Sequence, residues 1–294
     1  MSYDQLSVVS SQVSVGIEGF SCRGFFATLL TLGMKNQYFG DKRDLFKYDL
    51  WLEIAKGFGI KKHTFIPMLT PNDSTKQGGR IPEDAGRYCQ SIFDFLVCCQ
   101  RDEKRRNIKE LRAFFRSQSL EYHPYRDTEY LKQESRDKYF CSVHREALED
   151  AAILIDPDIG LERKSGLGKE HPEKYVTCGE IASLARRCSE GCVILLFQFM
   201  RGGKRVQCLN RLEHRESRLR QALSCVSSAP SPIPWVAEGR CTSSGPLFGD
   251  VAFFIIAVGR ATAEAVNEVS RTYACDHALL YSLGEGVRWG ARRN

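Results

Sequence analysis

The 294-residue sequence predicts an α/β fold, a three-layer α/β/α sandwich on a short, mostly parallel sheet. Two observations lead there. Four short runs, 64–69, 151–155, 192–199 and 251–258, are almost wholly apolar rather than alternating. Strands buried on both faces read this way. Segments with helical apolar spacing lie between these runs, and such alternation gives a parallel sheet covered on both sides.

Each element can be justified in order. Residues 1–33 are rich in Ser and Val, with only Asp4, Glu18 and Arg23 charged, and the texture changes abruptly at Met34. The expectation is an appendage or upstream extension over 1–33 and a single α/β domain over 34–294; a helix or strand packed on the body is the alternative. Leu45, Tyr48, Leu52 and Ala55 have helical spacing, with Asp41 or Asp44 as N-cap. Residues 64–69 form a strand that ends in Thr70-Pro71-Asn72-Asp73. Helix is expected over 83–117, and the 12 basic and 11 acidic residues of 101–150 mark a solvated helical region. The strand at 151–155 ends in Asp156-Pro157-Asp158-Ile159-Gly160. Helices at 180–187, 201–223 and 261–270 and strands at 192–199 and 251–258 complete the body, with 227–234 as a proline-rich loop.

Composition excludes several classes. With 43% hydrophobic and 27% charged residues the chain is globular, not disordered. No apolar run reaches the roughly 20 residues of a membrane span, and no basic segment precedes the N-terminal apolar stretch, so neither a membrane anchor nor a signal peptide is expected. The 12 cysteines show no Cys-x-x-Cys spacing and are read as mostly buried reduced thiols of a cytoplasmic protein. The six histidines are scattered without ligand spacing, and no metal is expected. Gly-x-Ser-x-Gly, Gly-x-Gly-x-x-Gly and Gly-Lys-Ser/Thr motifs are missing, which argues against serine hydrolysis, hydride transfer and P-loop chemistry. A formal charge of +6 is compatible with a polyanionic partner.

Chemistry is expected at the carboxyl ends of parallel strands. Two strands end there in proline-stiffened polar loops, which places Asn72, Asp73, Asp156 and Asp158 as catalytic candidates. Crowding or desolvation would give one of these carboxylates the raised pKa of a general base. Turn capping is the plain alternative for Asn72 and Asp156. Tyr38, Phe39, Asp41, Lys47, Thr70, Pro71, Glu162, Lys174 and Gln198 surround the two loops as candidate substrate contacts, with a solvated lysine as the commoner reading of Lys47. Residues 201–220 carry seven basic and two acidic side chains. Arg201 opens this stretch, and Lys204, Arg211, Arg215 and Arg218 fall on one helical face; the five form either a phosphate-tracking stripe or a solvated face.

From Met34 to about Arg201, the words Tyr38-Phe39-Gly40-Asp41, Met68-Leu69-Thr70-Pro71-Asn72-Asp73, Asp156-Pro157-Asp158-Ile159-Gly160-Leu161-Glu162 and Lys174-Tyr175 resemble a bacterial family without an assigned activity. More distantly, Thr70-Pro71-Asn72-Asp73 is similar in placement to the water-positioning loop of the uracil-DNA glycosylase superfamily, whose fold is a compact sandwich on a short parallel sheet. Those enzymes carry a His-Pro-Ser-type loop after a late strand, where this chain has Gly259-Arg260-Ala261. Asp156-Pro157-Asp158-Ile159 is similar to the Asp/Asn-Pro-Pro-aromatic loop that ends a central strand in base amino-methyltransferases. It lacks the second proline and the aromatic, and Pro67–Asp73 lacks cofactor-approaching glycines.

Both resemblances imply chemistry on a nucleic-acid base. The expected function is a cofactor-free, metal-free glycosylase acting on a flipped, possibly modified, DNA base. Asn72 or Asp73 would orient water, Asp156 or Asp158 would stabilise the sugar cation or bind the base, and Tyr38 or Phe39 would stack. The alternatives are a base methyltransferase using S-adenosylmethionine, a non-catalytic nucleic-acid-binding module, and a nuclease built on Asp158, Glu162 and Lys164.

Overall fold

A computed structural model describes residues 35–72, 82, 89–163, 165–167, 171–199, 205–226, 233–237 and 251–259, with parts of 265–282. The segment 1–33, the residues Asp73, Lys164, Arg201 and Lys204, and most of the expected helix at 261–270 lie outside the described residues.

The fold is α/β. Helix α1 (Lys42–Gly57) leads into β1 (Lys62–Ile66), then α2 (Gln90–Arg101), α3 (Leu111–Ser117) and β2 (Glu121–Pro124). Next come α4 (Arg136–Cys141), β3 (Ala151–Ile155), β4 (Gly160–Leu161), β5 (Tyr175–Val176), α5 (Cys178–Ala185) and β6 (Val193–Phe199). The described chain closes with α6 (Arg205–Leu223), β7 (Ile233–Ala237), β8 (Val251–Ala257) and β9 (Leu280–Ser282).

The main sheet has the order β2-β1-β3-β6-β8-β7-β9. The first four strands are mutually parallel. β8 runs antiparallel to both β6 and β7, which corrects the expectation that its apolar run belongs to a parallel strand. Burial on both faces makes a strand uniformly apolar whichever way it runs, so the sequence carries no direction there. A further correction falls on 227–234: Ile233 and Pro234 belong to β7, paired with Ile255 and Phe254. The expected helical region 101–150 also contains β2, a four-residue strand with a charged start and a terminal proline, which is how a short edge strand reads.

Alternate residues of the central strands join two separate apolar clusters. Phe65, Leu154, Leu195 and Phe253 join one apolar cluster with α1, α2 and α3. Their neighbours Ile66, Ile153, Ile194 and Phe254 join a second cluster with α4, α5 and α6. Each fully buried Leu, Ile or Phe contributes about 1.5–3 kcal/mol. α1 lies over the centre of the sheet, and the Trp51 indole donates to the Ala152 carbonyl of β3 at 3.1 Å. Asp41 caps α1 by accepting from the Arg43 and Asp44 amides at 2.8 and 3.1 Å.

Connection order places the site. The chain steps from β1 outward to β2, then returns across β1 to lay down β3 and β6 on the other side. The carboxyl ends of β1 and β3 therefore flank a point where the winding reverses, the position at which doubly wound sheets bind ligands.

Candidate functional site

The two expected strand-end loops meet at this reversal. β1 runs on into Pro67–Asn72 and β3 into Asp156–Ile159, and the Thr70 hydroxyl joins them by donating to Asp158 Oδ2 at 3.2 Å. Thr70, Asp156 and Asp158 are all buried. The loop after β1 holds Met68 at φ +44°, a left-handed backbone that a non-glycine residue adopts at a cost of about 1–3 kcal/mol.

α1 supplies the opposite wall. Lys47 Nζ donates to Asp156 Oδ2 at 2.6 Å and to Asp44 Oδ1 at 2.8 Å. Lys47 is only 4% exposed, which corrects its reading as a solvated lysine: two carboxylates pay for its desolvation. Its ammonium also stands 4.8 Å from the centre of the Phe197 ring. Asp44 is anchored from its other oxygen by the Gly40 amide at 2.9 Å.

Burial drives the Asp156 carboxyl up to about 7; Lys47 opposes this shift, while Asp44 and Asp158 add to it. Burial also lowers the Lys47 pKa, but Asp156 and Asp44 more than offset it and leave the ammonium above its ordinary value. Asp156 Oδ1 takes no hydrogen bond from any described residue. The Tyr48 hydroxyl, pushed well above its ordinary pKa by burial and then by Asp44 and Asp156, is enclosed without a hydrogen-bond partner among the described residues.

The remaining candidates divide. Gln198 is not available to a substrate: its oxygen accepts from the Leu161 amide at 2.9 Å, and its nitrogen donates to the carbonyls of Ile159 and Phe199 at 2.9 and 2.8 Å. It pins the Asp156–Leu161 segment to β6. A Cβ at Gly160, where φ is +124°, would strike this same amide, so the glycine is required for the close approach. Phe39 is fully buried against Tyr48 and Phe95, which corrects its stacking role; Tyr38 is buried beside it. Asp41 serves the α1 cap. Lys174 is buried in a short 3-10 turn whose carbonyl takes the Ile159 amide at 2.8 Å. Pro71 and Asn72 are exposed, and Asn72 Oδ1 accepts from the Gln37 amide at 3.4 Å.

Glu162 is buried at the start of α5, where it accepts from the Cys178 amide at 3.3 Å and from Arg218 at 2.7 Å. The stripe on α6 is not uniformly exposed: Arg211 is exposed, whereas Arg215 and Arg218 are half-buried against the β4–β5 segment. Burial, followed by the charge of Arg211, lowers the Arg215 pKa.

Sequence reasoning missed Asp44 and Tyr48 as site residues and took Asp44 only as a cap. Their spacing from Asp41 and Lys47 places all four near one face of α1, a signal that was present. Among the described residues no group of three His, Cys, Asp or Glu side chains is arranged to hold a metal ion, and no helix is long and apolar enough to cross a membrane. All eight described cysteines are free thiols. Cys99, Cys178 and Cys192 are buried but Cys98, Cys141 and Cys225 are exposed, so the expected burial holds for only part of the set.

No family of known proteins, no curated protein and no solved structure matches this chain.

Proposed function

We propose that the protein modifies a nucleic-acid base at the β1/β3 reversal, with Asp156 as proton acceptor, and that methyl transfer is its reaction. The observation that carries this reading is the buried Asp44–Lys47–Asp156 group at the carboxyl end of a central strand, facing the ligand position of a doubly wound sheet.

Two features favour transfer over the glycosylase reading. The glycosylase resemblance implies a short parallel sheet, whereas this sheet continues through the antiparallel β8 to β7 and β9. Its water-orienting candidate Asn72 is exposed, apart from the buried carboxylates.

The methyl donor needs a close backbone approach after β1 and polar partners beside it. Met68 gives this turn its left-handed backbone, but with a side chain packed into the core rather than the bare backbone of glycine. Thr70, Asp158 and the Tyr48 hydroxyl, which has no hydrogen-bond partner among the described residues, supply polar groups at this end of the sheet. On this reading Thr70 and Asp158 are the groups that would hold S-adenosylmethionine. When bound, it supplies an electrophilic methyl group to a base nitrogen, which must then lose one proton.

The chain's own residues handle that proton. With its carboxyl near 7, Asp156 is largely ionised just above neutrality, and Oδ1 is the oxygen that Lys47 does not occupy. Lys47 holds the carboxylate in place and stabilises its charge. Asp44 keeps Lys47 aimed, and Gln198 fixes the backbone on which Asp156 stands.

The reading is tested by incubating the protein with single- and double-stranded DNA, with and without S-adenosylmethionine, and analysing the products by nucleoside mass spectrometry. Cofactor-dependent gain of one methyl group per modified base supports it. Release of free base without cofactor returns the chain to the glycosylase class, and neither product sinks the base-modifying proposal.

A further inference from the structure

The connection from α5 to β6 lies at the amino end of the sheet and holds two cysteines that the site at the carboxyl end does not use. Cys188 follows α5 and is half-buried, whereas Cys192 directly precedes β6 and is fully buried. Both are free thiols, and both pack with the apolar cluster of α4, α5 and α6.

A tight turn brings them together. The Cys192 amide donates to the Ser189 carbonyl at 3.3 Å, and the Ser189 amide donates to the Leu148 carbonyl at 3.0 Å. Cys192 Sγ meets the same Leu148 carbonyl at 3.1 Å, so both ends of the turn converge on one oxygen. The Ala151 amide donates to the Cys192 sulfur at 3.4 Å, and the Ser189 hydroxyl lies 3.5 Å from it. Across the turn the two thiols hydrogen-bond one another.

This setting treats the two sulfurs differently. The hydrogen bond from Cys188, working against burial, draws the Cys192 thiol down to about 6. The same bond, reinforced by burial, raises Cys188, so the proton between them stays on Cys188. A thiolate is the form that oxidants attack, and a second thiol in contact with it diverts the first oxidation product to a disulfide.

We infer that Cys188 and Cys192 form a reversible redox site whose oxidant is hydrogen peroxide and whose product is an intramolecular disulfide closing the α5–β6 turn. The site does not depend on the reaction proposed for Asp156. Peroxide, little larger than water, approaches from the side of the half-buried Cys188. The Cys192 thiolate attacks one peroxide oxygen, the O–O bond breaks, and the hydroxide released takes the Cys188 proton to become water. The Cys188 thiolate then attacks the sulfur of the Cys192 sulfenic acid. The S–O bond breaks, and the second hydroxide becomes water with a proton from solvent. The two sulfurs lose two electrons in all, and the peroxide gains them.

The test treats the reduced full chain with hydrogen peroxide, quenches it in acid, unfolds it, alkylates the remaining thiols and maps the peptides by mass spectrometry. Cleavage after Glu190 separates the two cysteines, so the disulfide is read as two fragments joined with loss of two hydrogens and parted by dithiothreitol. The link should form about tenfold faster than the exposed Cys98, Cys141 and Cys225 lose their alkylation, because thiolate outreacts thiol. Its rate should rise with pH through about 6. In Cys188→Ser, which exchanges a half-buried thiol for a hydroxyl of similar shape, Cys192 should stop at the sulfenic acid, trapped by dimedone, and the rise should move to higher pH. The inference is overturned if Cys188 and Cys192 stay alkylatable while the exposed cysteines oxidise, or if either pairs with a different cysteine. A Cys188→Ser variant whose Cys192 oxidises with the parent's rate and pH profile would overturn it equally.

Discussion

Lys47 and Asp156, 109 residues apart in sequence, meet at 2.6 Å beneath the carboxyl edge of the sheet, and both are almost completely buried. The contact joins the middle of α1 to the end of β3, and so fixes the helix over the point where the winding reverses. A buried pair of this kind adds little net stability while intact, but losing one partner leaves the other charge uncompensated.

Lys47→Met should therefore destabilise the fold by about 3–5 kcal/mol, the usual cost of breaking a buried pair, unless Asp156 takes up a proton. Such uptake is expected, because Lys47 is the main influence holding the Asp156 carboxyl down to about 7. The variant's stability should fall as pH rises above neutrality, measured by urea unfolding at several pH values. A loss of stability independent of pH would mean that the ammonium serves packing alone.

Two buried groups set opposing pH dependences. Asp156 rises from 3.8 to about 7 on folding, mainly through burial, so its stabilising effect is complete below 3.8 and is lost as pH rises through 7. Burial lowers His63, packed between Trp51 and Phe115, from 6.5 to about 4, so its contribution is present above 6.5 and is lost as pH falls through 4. Between these limits the folded state binds one proton more at Asp156 and one fewer at His63, and the two slopes cancel. Relative to the parent, Asp156→Asn should gain stability with rising pH between 4 and 6.5, and His63→Leu should lose it. Each slope approaches about 1.4 kcal/mol per pH unit. Parallel stability curves for parent and variants would refute the cancellation.

The Asp-Pro-Asp segment owes its position to Gln198. Gly160→Ala places a Cβ against that amide at φ +124°, and should cost about 1–3 kcal/mol by the strain of that backbone region alone. Removing the amide in Gln198→Ala relieves the collision but takes the acceptor from the Leu161 amide and one of two donors from the Ile159 carbonyl, which keeps the Phe199 amide. The double variant should therefore be more stable than the sum of the two single losses implies, as read from a denaturant double-mutant cycle. Strict additivity would show that the two positions do not act on one another.

The parts legible in the sequence were those set by local chemistry. β3 falls at 151–155 as its uniformly apolar run requires, and Asp41 caps α1 as its position before Lys42 suggests. Strand direction was not legible, because the apolar run of β8 serves either sense equally. β2 was hidden by its shortness and charge. At the site, the prolines at 71 and 157 marked the right loops, but the decisive partner came from α1. Lys47 looked like a surface lysine because burial depends on Asp44 and Asp156 together, a long-range pairing that no local pattern encodes. Phe39 and Gln198 misled for the converse reason: each is chemically suited to a ligand, yet one is spent in the core and the other on the backbone.

The central claim is that Asp156 takes the proton released at the base, and Asp156→Asn tests it most directly. The amide keeps the shape of the side chain, removes its charge and most of its basicity, and leaves Lys47 paired with Asp44. Single-turnover methylation of DNA by parent and variant, followed by nucleoside mass spectrometry, should show a 10²–10⁴-fold slower reaction in the variant with DNA binding retained, the usual scale for losing a general base. The parent's rate should rise with pH through about 7, and the variant should lose that rise. Equal rates for the two proteins, with the same pH profile, would contradict the account and remove Asp156 from the chemistry.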